Sequence, residues 1–157
     1  MPTKRARAAS VWARSFRFDI LAARLKNLDA GVILSNVRQP LEEPKRISPE
    51  EAWALVEAGR EPVFIDTRNQ KHWEQSDSQI PGSLRIWRLE LEERIGEVPR
   101  GRPLVTYCAC HYEHSSTRAA LILEEYDFGE IHILVGGFNA WRDKGLPLEA
   151  KSRPPGS

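Results

Sequence analysis

The chain has 157 residues, 41% of them hydrophobic and 29% charged, with a formal net charge of +1 at pH 7. This is the composition of one globular domain with a single core; no apolar run is long enough to cross a membrane and no secretory signal is recognisable, so no membrane partner is expected. The two cysteines, one residue apart, cannot staple a fold, which favours a reducing, cytoplasmic location.

The first 46 residues are basic, with ten Lys or Arg against four Asp or Glu, and residues 1–18 hold five basic side chains and no acid. This pattern fits a transit peptide, which would make the location organellar, a tail that contacts an acidic protein partner, or a solvated extension. Apolar residues at helical spacing between positions 11 and 28 predict an amphipathic helix in it. The same basic tail could contact a nucleic acid, but a protein partner is favoured.

A linker at 40–44 predicts that the main domain begins near Lys45. Ser48 as N-cap, Pro49 in the first turn and Glu51 three residues after the cap predict a helix that stops at Gly59. A short apolar strand at 63–66 then leads into a loop that continues to Gln79.

Short strands and helices alternate through the remaining domain. The predicted elements are a strand at 83–87, a helical stretch at 89–98, a strand at 103–107, a helix from 116 to about 126, a strand at 131–135 and a helix at 138–144. This alternation predicts an α/β fold with a mostly parallel central sheet and helices on both faces. The domains are therefore a basic, partly helical extension (1–44), the α/β domain (45–148) and a disordered tail (149–157).

The cysteines lie where the strand at 103–107 passes into the following helix. Cys110 begins the loop, where backbone N–H groups and the positive end of the helix can ionise its thiol. Ser115 and Ser116 are predicted to cap the helix and so to orient its N-terminus toward the sulfur. Cys108, still in the strand's alternation, is predicted to pack as a small buried residue.

Other polar residues are expected near this loop. Asp66 and the pair Gly136-Gly137 follow two further strands, and ligands of parallel sheets bind beyond the carboxyl ends of strands. His111 and His114 flank the loop; they could favour the thiolate or bind an anion, or be exposed without a role. Together with the cysteines they resemble a metal site by ligand type, but the spacing is unusual, and neither a metal nor a cofactor is expected.

These segments, in this order, resemble the rhodanese-like sulfurtransferases over residues 47–148. The matching segments are Ile65-Asp66-Thr67-Arg68, Ile80-Pro81-Gly82-Ser83, Val105-Thr106-Tyr107-Cys108 with its downstream loop, and Gly136-Gly137-Phe138-Asn139-Ala140-Trp141 with Gly145-Leu146-Pro147. The resemblance implies a rhodanese fold and a loop cysteine that carries a persulfide. Counting back from the serines and alanines of the helix start assigns the nucleophile to Cys110 and the active-site loop to His111, Tyr112, Glu113, His114, Ser115 and Ser116.

The implied reaction moves sulfane sulfur from thiosulfate, mercaptopyruvate or a persulfide, through Cys110, to a thiol or cyanide. Asp66 and Arg68 are interpreted as a structural pair that ties the first strand end to the cysteine loop, and Arg118 as a supporting residue that faces either the loop or solvent. Glu113 departs from the pattern of the thiosulfate-using members of the family, whose loops are neutral or basic. A carboxylate near the pocket would repel a dianion and raise the thiol pKa. This argues against thiosulfate as the physiological donor.

One alternative to the sulfurtransferase stays open, and a second is disfavoured by the spacing of the loop. A catalytically weak domain of this family could act as a protein-binding or regulatory module, with the basic extension recruiting the partner. Phosphatases and arsenate reductases of the same fold use a Cys-x5-Arg loop, but the residue six after Cys110 is Ser116 and the next arginine is Arg118. That spacing argues against phosphatase chemistry.

Overall fold

The computed structural model describes residues 43–151, so the extension predicted for 1–44 lies almost entirely outside the described residues, as do residues 152–157. Within 43–151, five parallel strands form the central sheet, in the order β1-β6-β5-β2-β4. A two-stranded antiparallel sheet pairs β3 with β7. The strands are β1 (Lys45–Ile47), β2 (Val63–Asp66), β3 (Ser78–Gln79), β4 (Leu84–Arg85), β5 (Leu104–Tyr107), β6 (Ile131–Leu134) and β7 (Glu149–Ala150).

The helices of the same part of the chain are α1 (Pro49–Glu57), α2 (Gln70–Glu74), α3 (His114–Glu125) and α4 (Gly137–Asp143). The predicted start of α1 is confirmed: Ser48 and Glu51 form a capping box, and Pro49 occupies the first turn. No helix in the described part of the chain is long and apolar enough to cross a membrane.

Alternate residues of the central strands enter two separate cores, one on each face of the sheet. Ile65 of β2 packs with α3 residues such as Ala119 and Leu123, whereas its neighbour Phe64 packs with Trp141 of α4 and with α1. Strands buried on both faces read as continuous apolar runs, which is why β2, β5 and β6 are recognisable in the sequence. The predicted α/β fold with a covered parallel sheet is confirmed, as is the core position of Trp141.

The structure corrects the predicted elements in several places. Residues 89–98 do not form the predicted helical stretch but turns and one short 3-10 helix (Ile95–Glu97), and Leu89 is 58% exposed. The loop predicted to run to Gln79 contains α2 and β3. Strand β1 was not predicted either, because a three-residue segment with two basic side chains forms a strand only by pairing with β6.

Residues Glu149 and Ala150, assigned from the sequence to a disordered tail, form strand β7 against Ser78–Gln79. The Glu149 carboxylate explains their order: Oε1 accepts a hydrogen bond from Gln79 Nε2 at 2.7 Å and another from the backbone N–H of Gly82 at 2.9 Å. The contact joins residues about seventy positions apart, which no local pattern indicates.

Candidate active site

The cysteine loop lies at one edge of the central sheet, where the parallel strands β2, β5 and β6 all end. β5 ends at Tyr107, and the loop Cys108–Glu113 then leads directly into α3. A pocket of about 480 Å³ opens beside this loop; its lining residues are His72, Ala109, Cys110, His111, Gly136 and Asn139. The predicted meeting of the cysteine loop with Gly136 at a strand end is therefore observed.

The thiol of Cys110 lies half-buried in the wall of this pocket. Burial by itself raises its pKa, but hydrogen bonds from the Cys108 thiol and from the backbone N–H groups of Ser115, His114 and Cys110 oppose this, and the net result is a lowered pKa. Donors that favour the charged form of an acid lower its pKa. The first turn of α3 supplies two of these N–H groups, which have no partner inside the helix.

Cys108 is 1% exposed, as predicted for a small packed residue. Its sulfur lies 2.9 Å from Cys110 Sγ and 3.5 Å from Ser116 Oγ, and burial raises the pKa of its thiol. Of the two thiols, Cys110 is therefore the one that ionises more readily. The contact between the two sulfurs was not predicted.

Glu113 does not face the pocket, which removes the basis for the predicted repulsion of a dianionic donor. Its backbone is left-handed, with φ 54° and ψ 20°, and its side chain turns inward, leaving the residue 9% exposed. The carboxylate accepts a hydrogen bond from the backbone N–H of Gly136 at 2.6 Å and forms an ion pair with Arg46 of β1. Its charge is thus offset by two partners, and Glu113 itself is not among the residues that line the pocket.

The predicted serine cap of α3 is wrong. The helix begins at His114, and Glu113 occupies the N-cap position without a side-chain cap. The hydroxyl of Ser116, already inside the first turn, donates to the Glu113 carbonyl at 3.0 Å. The serines thus contribute to the site through the backbone N–H of Ser115 and through the contact of Ser116 with Cys108.

Gly137, at the start of α4, is required for the close approach of this helix to the cysteine loop. The backbone N–H of Phe138 donates to the Cys108 carbonyl at 2.8 Å. A Cβ on Gly137 would lie only 2.0 Å from that carbonyl oxygen, and φ at Gly137 is +57°. Only glycine fits there, so Gly137 lets α4 pin the backbone of Cys108.

Asp66 and Arg68 form the predicted structural pair and are both fully buried. Arg68 Nη2 donates to Asp66 Oδ2 at 2.6 Å and to the Ser78 carbonyl at 3.1 Å. The Tyr107 hydroxyl also donates to Asp66 Oδ2, at 2.9 Å. The pair therefore ties the end of β2 to β3 and to the last residue of β5, one residue before the cysteine loop, and makes no hydrogen bond to the loop itself.

The remaining candidate residues divide between the pocket and the surface. His111 lines the pocket, whereas Tyr112 is 76% exposed and packs edge-on against His111 and His114, with ring centroids 5.6 and 5.8 Å away. His114 and Arg118 are exposed on α3. The sequence left open whether Arg118 faces the loop or solvent, and in the structure it faces solvent.

Two residues that line the pocket, His72 and Asn139, were not predicted from the sequence as site residues. His72 is on the five-residue helix α2, too short to leave a periodic signal, and Asn139 is on α4 just after the glycine pair. Within residues 43–151, no group of three or more His, Cys, Asp or Glu residues is arranged to hold a metal ion.

The fold and the site together define an α/β domain with a parallel sheet and a thiolate-favouring loop cysteine at its carboxyl edge. The sequence profile of the rhodanese-like domain matches residues 48–144. The chain belongs to the rhodanese-like domain family, which confirms the resemblance found in the sequence.

Known relatives agree with this assignment. The chain is similar to the thiosulfate sulfurtransferase GlpE of Coxiella burnetii, at 34% identity over 62% of this chain and 87% of that protein. It is also similar to the GlpE of Pseudomonas syringae, at 35% identity over 64% of this chain and 89% of that protein. A rhodanese-related protein of Thermoplasma volcanium shares the fold, with a TM-score of 0.57 and 21% identity over 68% of this chain and 99% of that one.

Proposed function

We propose that this protein is a sulfurtransferase that carries sulfane sulfur as a persulfide on Cys110 and passes it to a thiol or cyanide. The observation that carries the proposal is the position of Cys110, which lines the pocket just before the first turn of α3. The backbone N–H groups at this helix start favour the charged form of the thiol and lower its pKa. The thiolate is the nucleophilic form of cysteine. The match to this chain covers 87% and 89% of the two GlpE relatives, and their names support the same activity.

With thiosulfate as donor, the Cys110 thiolate attacks the outer sulfur. A bond forms between Cys110 Sγ and that sulfur, the sulfur–sulfur bond of thiosulfate breaks, and sulfite leaves with the electron pair. The persulfide anion keeps its negative charge beside the N–H groups at the start of α3. An acceptor thiolate or cyanide then attacks the outer sulfur and releases Cys110 as a thiolate.

Thiosulfate is a candidate donor because Glu113 does not line the pocket and its carboxylate is paired with Arg46 and the Gly136 N–H. The side chains that line the pocket include His72 and His111, whose ring N–H groups can donate hydrogen bonds to sulfonate oxygens. Mercaptopyruvate and small persulfides remain as alternative donors.

Phosphatase chemistry finds no support in the loop. The residue six after Cys110 is Ser116, which is fully buried and bonded to the Glu113 carbonyl. Arg118, the next arginine, is exposed. No guanidinium between Cys110 and α3 is therefore available to clamp a phosphoryl group.

The proposal is tested by intact mass spectrometry after brief incubation with thiosulfate, mercaptopyruvate or a small persulfide, followed by an acid quench. Wild type and Cys108→Ser should gain the mass of one sulfur atom, and Cys110→Ser should gain nothing. Cys108→Ser is the matched control because it also removes one thiol of the pair. Failure of wild type to take up sulfur from any donor would refute the proposal and favour a protein-binding module.

A further inference from the structure

The second cysteine of the site donates a hydrogen bond to the nucleophile but takes no covalent part in the transfer described above. Cys108 Sγ lies 2.9 Å from Cys110 Sγ. Cys108 is 1% exposed, and the pocket beside Cys110 does not include it. A sulfur donor or acceptor in the pocket can therefore contact Cys110, whereas Cys108 can react only with Cys110 or with a sulfur bound to it.

The backbone around Cys108 holds this arrangement. Its carbonyl accepts the backbone N–H of Phe138 at 2.8 Å, and Gly137 packs directly against the same carbonyl, where a side chain would not fit. On its other side, the thiol lies 3.5 Å from Ser116 Oγ. These contacts fix the backbone that places the buried Cys108 sulfur next to Cys110.

From this geometry, and on the premise that Cys110 carries a persulfide, we infer that Cys108 is a resolving cysteine that discharges the persulfide when no external acceptor arrives. The Cys108 sulfur attacks Cys110 Sγ, the inner sulfur of the persulfide. A Cys108–Cys110 disulfide forms, the bond to the outer sulfur breaks, and the outer sulfur leaves with the electron pair. It takes the Cys108 thiol proton and departs as hydrogen sulfide or its anion.

The electrons balance without an added oxidant. The outer sulfur enters at the sulfane level and leaves reduced to sulfide, while the two cysteines are oxidised to the disulfide. A small thiol resets the site by thiol–disulfide exchange, attacking a sulfur of the disulfide to return both cysteines to the reduced form. The protein would thereby have a second activity, sulfide release, and a resting oxidised state that cannot accept sulfur until a thiol reduces it.

The attack requires the Cys108 thiol to give up its proton, which burial disfavours. Discharge is therefore expected to be slower than transfer to a thiol that enters the pocket. The two routes compete: abundant acceptor leads to sulfur transfer, and scarce acceptor leads to sulfide and the disulfide.

The test follows the loaded protein over time. Wild type, Cys108→Ser and Cys108→Ala are reduced, loaded briefly with thiosulfate and desalted without thiol. Released sulfide and intact mass, with and without iodoacetamide, are then measured. Cys108→Ser keeps the size of the side chain and a hydrogen-bond donor to Cys110, and Cys108→Ala removes both.

Wild type should lose its persulfide and release one equivalent of sulfide per loaded chain. Its final mass should be two hydrogens below that of the reduced protein, and it should not react with iodoacetamide until dithiothreitol is added. Both variants should keep the persulfide and release no sulfide above background. Persistence of the wild-type persulfide for as long as that of the variants would overturn the resolving role while leaving the sulfurtransferase proposal intact. Absence of loading in all three proteins would overturn the sulfurtransferase proposal, and this inference with it.

Discussion

The Glu113 carboxylate should stabilise the cysteine loop despite an unfavourable backbone conformation at the same residue. A left-handed backbone, here with φ 54°, disfavours a residue other than glycine by about 1–2 kcal/mol. The hydrogen bond from Gly136 N–H to the charged carboxylate contributes about 1.5–3 kcal/mol. The Arg46 side chain is 53% exposed, so its ion pair adds only about 0–1 kcal/mol.

Three substitutions separate these contributions. Glu113→Ala loses both contacts and keeps the unfavourable backbone, so it should lower the free energy of unfolding by about 2–3 kcal/mol. Glu113→Gly loses the same contacts but relieves the backbone, so the loss should be smaller by about 1 kcal/mol. Glu113→Gln keeps an acceptor for the Gly136 N–H but not the charge, and should lose about 1 kcal/mol.

The measurement is urea denaturation of the reduced proteins, with Arg46→Ala as a separate reference for the ion pair. A Glu113→Gly variant more stable than wild type would show that the carboxylate contributes less than the left-handed backbone costs. Equal stability of the alanine and glycine variants would refute the role assigned to the backbone conformation.

Three further predictions concern the thiol, the glycine contact and the buried ion pair. Cys108→Ala removes a donor to the Cys110 thiolate, so the Cys110 pKa should rise and the midpoint of iodoacetamide labelling should move to higher pH; an unchanged midpoint contradicts the proposed donor. Gly137→Ala should destabilise the fold by about 2–3 kcal/mol in urea denaturation, because strain at positive φ is joined by a clash with the Cys108 carbonyl. Gly59→Ala is its control: φ is +69° there, but no atom lies within 4 Å of the added Cβ, so the loss should be about 1 kcal/mol. Arg68→Met leaves a buried carboxylate without its cation and should lower the unfolding free energy by about 3–5 kcal/mol; a loss below 1 kcal/mol, taken as about the value of a surface pair, would contradict the burial of the pair.

The architecture could be predicted because its determinants are local. Val63–Asp66 and Ile131–Leu134 are short apolar strands buried on both faces, and the capping box at Ser48 marks a helix start in the sequence itself. Strand β1 and the pair β3–β7 were missed because their residues are polar or too few to show a pattern. These strands exist only through pairing with partners distant in the chain.

The amino-acid sequence alone determined that Cys110 follows a buried strand and precedes a helix, because the order of elements decides which residues meet at the edge of a parallel sheet. Only the tertiary structure decided the direction of Glu113, whose partner Arg46 lies 67 residues earlier, and the closeness of the two sulfurs. A carboxylate in a loop points wherever its partners lie, and the positions of those partners depend on how the strands are arranged. The Glu113 carboxylate, which was expected to repel an anionic donor, therefore instead binds Arg46 and the Gly136 N–H.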